Sequence, residues 1–216
     1  MNVVPIEVQY VDHMGSDVNV VNAARVSFAK EVEVFNIEKD KKLLNYLAKH
    51  GHWSPFAHTC ITLRAKVPIA LARQLVKHQV GGNWNEESRR YIDSEPEFWL
   101  PEELHEKPDN AKQGCSEYLH YWSTTYRYQM EQHSKDCLCF YTTMIADKVA
   151  PEEARLVLPL NTMTNLVWTG SILFFHRVWQ QRSDAHAQTF AREFADKLLP
   201  VIQPLYPHSI EALCNA

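Results

Sequence analysis

A chain of 216 residues with 45% hydrophobic content is long enough to bury a sizeable core, which excludes a disordered or low-complexity protein. A formal net charge of −4 argues against a general nucleic-acid binder, though a few converging arginines could still grip a small anion. Five cysteines, with C-x-C as their one close spacing, give no zinc framework and no C-x-x-C redox pair, and fit a reduced, cytoplasmic protein.

The opening residues MNVVPIEVQYVDHMGS lack the basic stretch and apolar run of a signal peptide, and no run of 18 apolar residues predicts a membrane span. Val3–Val11 is rich in β-formers and predicts a first strand. Asp17–Phe28 has helical spacing at Val20, Val21, Ala24 and Val26, and Asp40–Lys49 predicts a helix with Leu43, Leu44 and Leu47 on one face. Gly51–His58 reads as a loop around a proline turn. Thr59–Val67 alternates, with Ile61, Leu63, Ala65 and Val67 on one side of a strand. Pro68 opens a short helix to about His78, which Gly81 and Gly82 break. Glu95–Asn110 is proline-rich and polar and predicts a surface excursion; Gly114–Lys135 predicts a long aromatic helix. Pro151–Leu158 is a helix stopped by Pro159, Asn161–Thr169 a β-branched strand, and two helices follow at about Ile172–Gln181 and Ala185–Leu199. Helices and strands mix without strict βαβ alternation, so the class is α+β, with residues 1–216 as a single domain.

Four groupings could carry chemistry. Between Arg73 and Arg90 stand Arg73, Gln74, Lys77, His78, Gln79, Asn83, Asn85, Glu86, Glu87, Ser88, Arg89 and Arg90, around two glycines. A helix end followed by a glycine loop can bring amides and side chains onto an anion, with Arg90 gripping a phosphate bidentately and Ser88 adding a neutral hydrogen bond. A solvated loop fits the same residues equally well. No Walker or G-x-G-x-x-G motif accompanies them, so side chains rather than a glycine cradle would hold a phosphate. Arg182 and His186, four apart, would share a helical face; the plainer reading is an exposed helix start capped by Asp184. Arg155 stands among apolar residues, with a salt bridge to Glu152 as its plainer reading. His52 and His58 lie beside aromatics in a loop and read as ordinary histidines, so no metal site is expected. No cysteine falls in a histidine- or arginine-containing motif: Cys60 lies in a predicted strand and Cys137 and Cys139 in CLCFY, so none reads as a nucleophile.

The stretch Lys77–Tyr91, KHQVGGNWNEESRRY, resembles the signature R-H-R-x-x-S-x-N-E-x-S-x-R-Y of flavin-dependent thymidylate synthases. Asn85, Glu86, Ser88, Arg90, Tyr91 and His78 match it. Four further segments resemble the family's in the same order: Asn22–Ser27, Gly51–His58, Ala154–Pro159 and Arg182–Gln188.

The resemblance implies that family's fold, a central mixed or antiparallel sheet flanked by helices, and a homotetramer with active sites between subunits. It implies reductive methylation of dUMP to dTMP, with FAD as cofactor, methylenetetrahydrofolate as carbon donor and NADPH as reductant. Gln74, Glu86, Ser88, Arg90, Arg155 and Arg182 would take dUMP, with Arg182 and Ser88 catalytic. Ser27, Ser54, Lys77, His78, Gln79, Glu86, Arg177 and His186 would take FAD, and His52 and Tyr91 the folate and NADPH side. No nucleic acid or membrane partner is implied. The flavin side departs from the pattern: Lys77 and Gln79 replace arginines, the segment is one residue long, and Ser171-Ile172-Leu173 replaces N-x-R. Arg177, one turn on, would restore charge. Weaker or differently seated FAD is the expectation, and hydroxymethylation at pyrimidine C5 is the alternative chemistry.

Overall fold

The alternation seen in the sequence decides where the core lies. In a computed structural model, which describes residues 1–109 and 114–216, strand β3 (Cys60–Pro68) buries Ile61, Leu63, Ala65 and Val67 on one face. It pairs antiparallel with β2 (Glu7–Met14) on one side and with β6 (Met163–Gly170) on the other. The strand β4 (Gly82–Glu86) pairs with β6 and completes the order β2-β3-β6-β4. A separate parallel pair joins β1 (Asn2–Val3) to β5 (Glu97–Phe98). The expected first strand is therefore two. Pro5 has no N–H to give a ladder, and the chain changes sheets around it.

The helices are α1 (Asp17–Arg25), α2 (Ile37–Lys49), α3 (Ser54–Ala57), α4 (Ile69–Leu75), α5 (Ser123–Ala146), α6 (Pro151–Ala154), α7 (Ile172–Arg182), α8 (Thr189–Ile202) and α9 (Pro207–Cys214). Short 3₁₀ turns extend α1 at Val26–Phe28 and α6 at Arg155–Val157. Apolar residues of α1, α2, α7, α8 and α9 pack with the inner face of β3 and β6 into one core. Trp168, 1% exposed, stands at its centre, its ring 5.2 Å from Phe174 and 5.6 Å from Phe175. Each such buried aromatic stabilises the fold by roughly 3–5 kcal/mol against alanine.

Several boundaries move, each for a local reason. Helix α2 begins before Asp40 because the Asn36 side chain, four residues upstream of it, caps the helix by accepting the Lys39 N–H at 2.9 Å. The long helix starts at Ser123, not Gly114, and runs through CLCFY; Leu138 and Tyr141 form part of its buried face. The chain before it is held in an extended bridge, His105 to Leu119. The loop Gly51–His58 contains α3, and the excursion Glu95–Asn110 contributes β5, its Asn110 end lying outside the described residues. Helix α9 was not expected. Its first turn is capped from the other end of the chain: the buried Asp17 carboxylate accepts the His208 N–H (3.0 Å), the Ser209 N–H (2.9 Å) and the Ser209 hydroxyl. Negative charge there also matches the helix dipole.

Candidate active site

Gly81 and Gly82 do not simply break a helix; they launch an edge strand. Gly81 turns the chain at φ +89°, and Gly82 begins β4 opposite Gly170 of β6. The Phe174 ring fills the space above both. A Cβ at Gly82 would stand 2.4 Å from its Cζ, and one at Gly170 would stand 2.3 Å from its Cδ1. The two glycines and Phe174 are one packing unit.

Along β4, Trp84 and Glu86 share a face, as residues two apart in a strand must. The Trp84 ring meets Trp168 edge-on at 5.2 Å. The Glu86 carboxylate accepts the buried Thr164 hydroxyl at 3.0 Å and the Trp84 indole N–H at 3.4 Å. Beyond β4 the chain turns: Tyr91 N–H donates to the Ser88 carbonyl at 3.0 Å, and Arg90 Nε donates to Ser88 Oγ at 3.1 Å. The Arg90 guanidinium also lies 5.0 Å from the Tyr91 ring centre.

A second group forms where α4 and α7 end. Arg182, the last residue of α7, donates from Nε (3.1 Å) and Nη2 (2.9 Å) to Nε2 of His78. Nη2 also reaches the Gln74 carbonyl at 3.5 Å. Accepting twice requires an unprotonated Nε2 on His78. Burial, with the neighbouring Arg182 charge, pushes His78 down to about 4. Burial also lowers the Arg182 guanidinium from its ordinary value. Gln74 donates to Gln188.

After α7 the chain leaves the helix until Thr189, so Arg182 and His186 do not share a helical face as their spacing suggested. Asp184 does not cap α8 either. Gln188 takes that place, while Asp184 accepts the His186 N–H at 2.7 Å and contacts its ring nitrogen at 3.0 Å. Arg155 donates to the carbonyl of Glu152 at 3.3 Å rather than pairing with its carboxylate.

Three neighbouring hollows collect many of these side chains. A cleft of about 860 Å³ is lined by Arg73, Gln74, Lys77, Arg182, Asp184, His186 and Gln188 among others. A hollow of about 250 Å³ holds Lys77, His78, Gln79, Phe174, Arg177 and Arg182. A third, of about 440 Å³, sets Glu86 with Arg73 and Arg155 against Leu156, Leu158 and Pro159. Lys77 and Arg182 line the first two, and Arg73 lines the first and third, so the hollows share walls.

Ser88, Arg90 and Tyr91 sit on the turn after β4 and line none of the three. Nor do Ser27 in its 3₁₀ turn, Ser54 at the start of α3, or His52, whose ring stacks on Tyr46 at 5.9 Å. One participant escaped the sequence reading and another was given a different role. Thr164 holds Glu86, a contact hidden while β4 was read as loop, and Asp184, read as a helix cap, instead steadies His186 by a two-residue turn.

One cysteine reading is corrected: helical spacing brings His133 Nε2 to 3.6 Å from Cys137 Sγ. Burial and the nearby Asp136 raise that thiol, which keeps it protonated and a poor nucleophile.

The model of the family described as thymidylate synthase complementing protein matches residues 9–208. The flavin-dependent thymidylate synthase of Thermosipho melanesiensis is 32% identical over 203 residues, 94% of this chain and 87% of the relative. That of Ehrlichia ruminantium (strain Gardel) is 35% identical over 207 residues, 93% of this chain and 67% of the relative. The crystal structure of the UMP/dUMP methylase PolB from Streptomyces cacaoi bound with 5-Br dUMP is similar with a TM-score of 0.87 and 28% identity, covering 100% of this chain and 97% of that one. The PolB description speaks of methylation and the relatives' names of thymidylate synthesis, and the hydroxymethyl alternative gains nothing from them.

Proposed function

The chain belongs to the thymidylate synthase complementing protein family, whose relatives named above are flavin-dependent thymidylate synthases, and on that premise we propose how its own residues serve the methylation of dUMP to dTMP. The finer reading is that FAD is the flavin, methylenetetrahydrofolate the carbon donor and NADPH the reductant. The observation that carries it is the shared wall of the two hollows, where Lys77 and Arg182 face both a polar cleft and a cationic seat beside it.

The second hollow suits a dinucleotide flavin by its donors. Lys77 and Arg177 offer charge to a diphosphate, Gln79 and the neutral His78 offer hydrogen bonds, and Phe174 and Val80 offer apolar surface to a flat ring. His186, Glu86, Ser27 and Ser54 complete the proposed FAD set. A flavin held there would supply the hydride, so the chain itself would need no cysteine nucleophile.

The chain's own work is positioning and electrostatics. Gln74, Glu86, Ser88, Arg90, Arg155 and Arg182 hold dUMP, with Arg90 and Ser88 at the phosphate. Arg182 lies against the uracil, where its charge stabilises negative charge developing on the ring. Ser88 orients the nucleotide at the same site. The dUMP residues fall in separate hollows and on the β4 turn of one protomer, which supports a homotetramer whose subunits complete each other's sites, with His52 and Tyr91 on the folate and NADPH side. The enzyme works in the cytoplasm as one domain over residues 1–216, on small molecules rather than nucleic acid or membrane. Among the described residues no helix is long and apolar enough to cross a membrane.

Purified protein given FAD, NADPH, methylenetetrahydrofolate and dUMP forms dTMP. Unchanged dUMP with the flavin site saturated contradicts the reading.

A further inference from the structure

We infer that His78 is a positioning residue: its neutral imidazole accepts two hydrogen bonds from Arg182 and thereby aims that guanidinium at the pyrimidine. The inference rests on the function proposed above and concerns how Arg182 is held.

Two donors of one guanidinium converge on one nitrogen, Nε2 of His78, at 3.1 and 2.9 Å. Among the described residues no carboxylate lies within salt-bridge distance of Arg182. The difference matters. A carboxylate would fix the guanidinium but cancel much of its charge; a neutral acceptor fixes it and leaves the full positive charge for the substrate. The imidazole must therefore carry its proton on Nδ1, and the half-buried ring beside Arg182 stays uncharged at neutral pH.

The clamp is rigid at both ends. His78 follows α4, its N–H donating to the Leu75 carbonyl at 3.0 Å, and its ring leans on Trp168 at 6.4 Å. Arg182 closes α7 and reaches the Gln74 carbonyl of α4 at 3.5 Å. Helices α4 and α7 follow the two central strands β3 and β6, so the core fixes the distance between them.

The test is a double-mutant cycle on the complete enzyme. Variants H78L, H78Q, R182A and H78L/R182A are compared for kcat and KM toward dUMP and, separately, for FAD dissociation constant by flavin fluorescence. H78L should lose about 100-fold in kcat/KM, and H78Q, whose amide oxygen falls near the Nε2 position, should stay within about 10-fold of wild type. In the R182A background H78L should cost less than about 3-fold more in kcat/KM measured at saturating FAD, and whatever FAD affinity H78L loses as a member of the proposed flavin set should be the same with and without Arg182. If H78L does not fold, H78N serves instead, because its acceptor stops short of Arg182 and should behave as the loss variant. A loss that is equally large without Arg182, or that follows FAD affinity, overturns the positioning role. Absence of turnover in wild type overturns the function and this inference together. Nitrogen NMR of the imidazole adds a readout free of activity: a neutral Nδ1–H ring at pH 6 is expected, and a protonated ring overturns the clamp.

Discussion

The two halves of Lys77–Tyr91 are built in different ways. Gly82–Glu86 is a strand fixed by a backbone ladder, Gly82 to Gly170 through Glu86 to Leu166, and its acidic side chain is tied to a buried threonine. Lys77–Gly81 is a turn with Val80 83% exposed, and its shape depends on side chains: His78 against Arg182, and Phe174 above the glycines. The departure from the family pattern crosses this boundary: Gly82–Trp84 lies on the ladder beside the matching Asn85 and Glu86, while Lys77–Gly81 is held by replaceable contacts, where substitutions can compensate one another. Phe174 and Gly82 join the two halves, since the bulky ring is possible only where the strand offers no Cβ.

That contrast breaks first at Arg182, where the turn half meets the proposed substrate. R182A should lower kcat/KM for dUMP by about 10²–10³-fold, the range for removing a preorganised donor to developing charge. An unchanged value removes Arg182 from the site and with it the importance of the turn.

The packing unit gives the next largest effect. F174A should lose about 3 kcal/mol in denaturant unfolding. G82A should lose about 2 kcal/mol by overpacking against the ring. The double variant should lose clearly less than the sum, because alanine at 174 makes room for the new methyl. Additive losses would mean that ring and glycine do not share the space.

Stability should also fall with acid. His78 and the buried His176 are both pushed down to about 4, chiefly by burial. Between pH 6.5 and 4 the unfolded chain takes up protons there that the folded chain does not, so stability is present above 6.5 and declines as pH falls toward 4. The joint effect is on the order of 2 kcal/mol once solvent around the half-buried His78 is discounted. Replacing the imidazole by the non-titrating amide acceptor of H78Q should shrink that slope; an unaltered slope assigns it to other groups. A smaller gain is expected from Q79R, which restores a charged fork on the flavin side and should tighten FAD by up to about 10-fold. No tightening would mean that Gln79 does not face the cofactor.

What the sequence revealed follows the reach of each interaction. The alternation in Thr59–Val67 announced the central strand because burial on one face leaves a period of two in the residues themselves. The segment GGNWNE carries no such signal: two glycines and a polar run pass for loop, and the strand exists through its pairing with β6 and through Phe174. The Arg182–His78 contact joins residues 104 apart, and no local pattern encodes it. Spacing misled at Arg182 and His186, where a turn at Ser183 and Asp184 replaces the helix that would have aligned them. The chemical identities of the candidate groups were legible; their grouping into three hollows, with Ser88 and Arg90 outside them, was not.

The central claim is methylation by a flavin with no thiol nucleophile, and the five-cysteine variant C60S/C115S/C137S/C139S/C214S tests it most directly. Its dTMP formation from dUMP is measured beside wild type, each with FAD, NADPH and methylenetetrahydrofolate at saturation. The account predicts dTMP at a rate within a few-fold of wild type. Complete loss of dTMP in a variant that keeps its fold and its flavin, with wild type active, would contradict it.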